Sequence, residues 1–149
     1  MSLEKQLTED LKAAMKARDK IRLETIRGLK SQLKNRQIEK GEALTDDDAI
    51  KVLSNAAKKR KEAIEQFKSL GREDRAETES QELKIIESYL PEQMSEAEIA
   101  RHVNAVIQEV NAASMKDMGK VMGAVMPRVK GKADGKLVQQ IVRETLNSL

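Results

Sequence analysis

Apolar residues recur along this chain at steps of three and four, the spacing of one helix face. Leu3, Leu7, Leu11 and Met15 mark a first helix, with Ser2 placed to cap it. Leu23, Ile26, Leu29 and Leu33 mark a second, opened by Asp19 and closing near Gly41. Around Arg18 the pattern fits either two helices or one bent helix. Thr45 followed by Asp46, Asp47 and Asp48 is a strong start, because a hydroxyl and carboxylates satisfy the first amides and the helix dipole. Ile50, Leu53, Ala57, Ile64 and Phe67 carry that third helix to Leu70, where Gly71 stops it. After a polar, acidic stretch, Leu83, Ile86, Tyr89 and Leu90 mark a fourth helix, closed by Pro91.

Three shorter stripes follow. Ser95-Glu96-Ala97-Glu98 reads as a capping box before Ile99, Val103, Val106, Ile107 and Val110. Ser114 to Asp117 opens a segment with Met118, Val121, Met122 and Val125, whose end Pro127 marks. Asp134 is placed to cap a last helix bearing Leu137, Val138, Ile141, Val142 and Leu146. No strand period and no tandem repeat is present. The expected fold is all-α: about four helices over 1–91, then a three-helix bundle over 92–149. The second unit is small enough to be marginal alone.

Composition narrows the functions available. Charged residues are 36% of the chain, and aromatics 1%. Cys is absent and His102 is the single histidine, so thiolate chemistry, disulfides and histidine metal clusters are excluded. No apolar run approaches the roughly 20 residues that span a bilayer. Two aromatics are too few for a base-stacking platform. The acidic N-terminus lacks the apolar block of a signal peptide and argues against a transit peptide, so a cytoplasmic protein is expected.

The net charge of +3 conceals a pattern. Residues 12–36 hold nine basic and two acidic residues, and residues 116–143 hold seven and two. Between them, residues 72–98 hold nine acidic and three basic. On the second helix, Lys20, Arg27, Lys30 and Lys34 fall on one arc, a secondary basic face suited to phosphate. Lys58, Lys59, Arg60 and Lys61 wrap around theirs and read as solvated. The tract Arg128 to Ala133 reads as a basic loop, followed by Asp134-Gly135-Lys136. Two readings of it stand: backbone amides and lysines gathered for phosphate, or a turn capped by Asp134. Gly119 and Gly123 share one face, which favours close packing by another helix over approach of a nucleic-acid backbone. Asp46, Asp47 and Asp48 suit a helix start better than a magnesium site. His102 flanks an apolar stripe with no nucleophile suggested beside it. No phosphate-binding Gly-rich loop and no nucleophile elbow is present.

Certain stretches resemble a known family. These are Asp117-Met118-Gly119-Lys120-Val121-Met122 and Met126-Pro127-Arg128-Val129-Lys130-Gly131-Lys132-Ala133-Asp134-Gly135-Lys136. They resemble the tail domain shared by the YqeY family and the GatB subunit of tRNA-dependent amidotransferases. Met15-Lys16-Ala17-Arg18-Asp19, Arg22-Leu23 with Ile26-Arg27, and Ser88-Tyr89-Leu90-Pro91-Glu92-Gln93-Met94-Ser95-Glu96 are similar to YqeY itself. The resemblance spans nearly the whole chain and implies an all-α protein with a small C-terminal domain. In GatB this tail engages the body of tRNA, while a cradle domain and a separate amidase subunit hold the chemistry. The resemblance therefore implies a non-catalytic tRNA-binding accessory without cofactor or metal. Lys120, Arg128, Lys130, Lys132 and Lys136 would make the RNA contacts. Glutamine-dependent amidotransfer together with amidotransferase subunits is the alternative, and a protein-interaction adaptor, monomeric or weakly dimeric, is a third.

Overall fold

Side-chain caps open most of the helices. The computed structural model describes residues 2–149. Ser2, Asp19, Thr45, Ser95 and Asp134 each accept a hydrogen bond from an amide of the first helical turn. The described residues form seven α-helices, one 3-10 turn and no strand. They are α1 (Leu3–Ala17), α2 (Lys20–Lys40), α3 (Asp46–Ser69), α4 (Glu73–Glu87), α5 (Glu96–Val110), α6 (Met118–Val129) and α7 (Gly135–Asn147). The 3-10 turn, Met115–Asp117, leads into α6. The all-α expectation is met.

The chain divides into two compact units, Met1–Leu90 and Pro91–Leu149, each with its own core. In the first, the core gathers Leu7 of α1, Ile26, Leu29 and Leu33 of α2, Leu53, Ala56 and Ala57 of α3 and Ile86 of α4. The pairing of α3 with α4 is the most extensive in this unit. Arg60 of α3 donates to Glu82 of α4 at 2.8 Å and pairs with Glu79 at 3.4 Å. Arg60 therefore belongs to the packing rather than to a solvated basic run. Met15, placed by its spacing on the α1 stripe, is 53% exposed.

Between α1 and α2 the backbone breaks. Arg18 takes a left-handed conformation, φ 55°, and Asp19 caps the helix that follows, so the junction is two helices rather than one bent one. At the start of α3 the capping box closes in both directions between Thr45 and Asp48. Asp48 also pairs with Lys40 at 2.5 Å, and that ammonium together with the Thr45 amide holds its carboxyl well below the usual range. At the far end, the hydroxyl of Tyr89 donates to Asp10 of α1 at 2.5 Å. Burial, then the Asp10 carboxylate, pushes the Tyr89 phenol up to about 12.

In the second unit α5, α6 and α7 pack on one another. Ile99, Val103, Val106, Val121, Val125, Val129, Val138 and Val142 are fully buried. Pro127 does not end its helix as expected; α6 runs on to Val129. The added turn places Val129 in the core, which offsets part of the cost of the proline's missing amide. The acidic stretch after Gly71 is likewise helical, with Glu73 and Asp74 at the favourable end of the α4 dipole.

Gly119 and Gly123 do not pack. A Cβ at either would meet nothing within 4 Å, and the same holds for Gly28 on α2. Gly28 and Gly123 lie inside helices, where glycine costs up to about 1 kcal/mol relative to alanine. Gly28→Ala and Gly123→Ala are each expected to stabilise the protein by about 0.4–1 kcal/mol, read as a raised denaturation midpoint. Destabilisation by either would mean that the helix face is in fact covered.

Candidate nucleic-acid interface

The loop between α6 and α7 is held from below by the segment that precedes α5. The side-chain amide of Gln93 donates to the carbonyls of Pro91 at 2.8 Å and Gly131 at 2.9 Å. The Met94 backbone amide donates to the Lys132 carbonyl at 2.8 Å. Gly131 sits at φ 75°, a left-handed turn that favours glycine. Two stretches 38 residues apart thus meet in one braced corner. Lys130, Lys132 and Lys136 are exposed on it.

Several backbone amides in and just after this loop are already engaged. Those of Lys132 and Ala133 donate to the Val129 carbonyl, and that of Val138 to the Asp134 carbonyl. The Lys136 amide donates to the Asp134 carboxylate at 3.2 Å. Of the two readings of the loop, the capped turn is the one its backbone adopts.

The remaining candidates divide. Lys120 is exposed on α6, close enough to Asp117 to help lower that carboxyl, whose main partners are the Ala113 and Ser114 amides. Arg128 is on the same row two turns later, not in a loop, and its guanidinium donates to Glu109 of α5 at 2.6 Å. That bond raises the Arg128 pKa and lowers that of Glu109. Arg128 fastens α5 to α6, and its charge is largely compensated. Beside these side chains runs an exposed, smooth row of Gly119, Gly123 and Pro127.

In the first unit, Lys20, Arg27 and Lys34 are exposed along α2. Lys30 leaves that stripe: it is half-buried and its ammonium donates to the Thr8 hydroxyl of α1 at 2.9 Å. Lys30 and Lys34 line a groove of about 440 Å³ with Glu4, Thr8 and Gln37, so the secondary basic face is broken by packing. His102 is half-buried on α5. No group of three His, Cys, Asp or Glu side chains able to hold a metal occurs among the described residues, and no helix is long and apolar enough to cross a membrane.

Gln93 is the site residue that residue-by-residue reading passes over. It stands in the Ser88–Glu96 stretch that resembles YqeY, but nothing local reveals that its partner is Gly131. Gln93→Leu should lower stability by about 1–2 kcal/mol, since two bonds are lost. It should also speed hydrogen exchange at the Met94 amide; unchanged exchange there would show that the brace is dispensable.

Two helical units, the second presenting a braced lysine corner, define a class of small all-α proteins. The chain belongs to the Yqey-like protein family, whose model matches residues 4–146. It is similar to "Altered inheritance of mitochondria protein 41, mitochondrial" of Lachancea thermotolerans, 38% identical over 111 residues, covering 72% of this chain and 59% of that protein. It is also similar to the protein of the same name in Pyrenophora tritici-repentis, 29% identical over 146 residues, covering 96% and 80%. The chain thus spans about six tenths of the first relative's length. A more distant similarity is to a glutamyl-tRNA(Gln) amidotransferase polypeptide of Thermococcus gammatolerans, 30% identical over 107 residues, covering 69% of this chain and 17% of that protein. The expectation of a cytoplasmic protein is corrected by these names, because the matched family relatives are called mitochondrial.

Proposed function

We propose that this chain is a non-catalytic RNA-binding accessory protein whose ligand is tRNA, recognised by shape and phosphate. The observation that carries the proposal is the braced corner, which fixes the backbone under Lys130, Lys132 and Lys136 while leaving the side chains exposed. Fixing the backbone lowers the ordering cost of binding. Lys120 on α6 adds a fourth cation, and the smooth glycine row beside it admits a backbone at close range. The scarcity of aromatics favours phosphate and shape over base stacking. Similarity to a protein named for a tRNA substrate supports the choice of tRNA.

The test is titration of a tRNA transcript into the full chain and into a variant with Lys120, Lys130, Lys132 and Lys136 all replaced by Gln. Binding at low salt that the variant loses is the expected result. Equal binding by both would refute it. That same similarity supports a second reading, participation in glutamine-dependent amidotransfer with other subunits. A reconstituted amidation reaction indifferent to this chain would dismiss it.

A further inference from the structure

A second polar groove lies in the first unit, between α2 and α3. It has a volume of about 460 Å³ and is lined by Gln32, Asn35, Arg36 and Glu39 of α2 and Lys51, Val52, Asn55 and Lys59 of α3. Arg36 is occupied by Glu39 at 3.4 Å. The side chains of Gln32, Asn35, Lys51, Asn55 and Lys59 make no hydrogen bond or ion pair among the described residues. This contrasts with Lys30, Lys40, Arg60 and Arg128, each of which is paired within the chain.

Lys51, Asn55 and Lys59 are four residues apart on one row of α3. At 1.5 Å per residue the row reads cation, carboxamide, cation at steps of about 6 Å, about 12 Å in all. That spread lets the two ammoniums take separate phosphates along a strand, with the carboxamide between them. Asn35 and Gln32 supply further donors and acceptors from the opposite wall. A repeating polymer that alternates phosphate with a hydroxylated sugar matches the alternation of charge and amide. We propose that the α2–α3 groove binds the ribose-phosphate backbone of RNA, the lysines holding phosphates and the carboxamides the 2′-hydroxyls. This rests on the RNA-binding reading but uses residues remote in sequence from the lysine corner.

The test measures salt-dependent binding of the full chain to a tRNA transcript and to its all-deoxy counterpart. Three proteins are compared: the unaltered chain, the K51Q/K59Q variant and the N35A/N55A variant. Losing two phosphate contacts should weaken binding and flatten the log–log salt slope by about 1.5–2. N35A/N55A should weaken the ribo form and spare the deoxy form, because only RNA offers the 2′-hydroxyl. Lys51, Lys59, Asn35 and Asn55 are all exposed, so melting curves should be unchanged. If both groove variants bind like the unaltered chain while the lysine-corner variant loses binding, the groove proposal is overturned and the proposed function stands. If the unaltered chain binds no tRNA at low salt, both are overturned.

Discussion

Replacing Ile99 with Ala is expected to cost about 2–5 kcal/mol, the range of a buried large-to-small change with its residual cavity. Ile99 opens the buried row of α5, is fully buried, and packs in a cluster whose other buried members are seven valines, Ile107 and Leu146. Short, branched side chains have little freedom to swing into the space left behind. The unit Pro91–Leu149 is also small. At about 0.05–0.15 kcal/mol per residue, a unit of this size holds only about 3–9 kcal/mol. The substitution should therefore unfold much of the C-terminal unit near physiological temperature. Loss of exchange protection at the amides of α5, α6 and α7 would record it. A variant that keeps those amides protected and melts with the unaltered chain would show that Ile99 is not central to this core.

Much of this fold is legible in the sequence because its helices obey local rules. The stripe of α5 gives Ile99, Val103, Val106 and Ile107, and all four are buried. Thr45, Asp19 and Asp134 cap where their positions suggest. Departures arise where a distant contact overrules local chemistry. Pro127 reads as a stop, yet burial of Val129 carries the helix past it. Gly119 and Gly123 read as a packing face, yet nothing among the described residues covers them.

The candidate site is legible as charge but not as pairing. Lys30, Arg60 and Arg128 find partners 22, 22 and 19 residues away, and no local pattern identifies Thr8, Glu82 or Glu109. The same limit hides the Gln93 brace. Conversely, the α2–α3 groove is invisible in a charge count, because its walls come from segments of unlike composition. What marks it is a row of alternating lysine and carboxamide side chains, Lys51, Asn55 and Lys59, facing Gln32 and Asn35 across one groove.

Whether the braced lysine corner holds tRNA through phosphate is tested most directly by the salt dependence of binding. Each phosphate neutralised by a lysine releases counterions, and contributes about 0.7–0.9 to the slope of log affinity against log salt. Lys120, Lys130, Lys132 and Lys136 together should give a slope of about −3 or steeper. The affinity of the full chain for a tRNA transcript should then fall roughly 50-fold or more between about 50 and 200 mM salt. Replacing the four lysines with Gln should remove most of that slope. Binding that is absent at the low-salt end, or that persists with a slope near zero, would contradict the account.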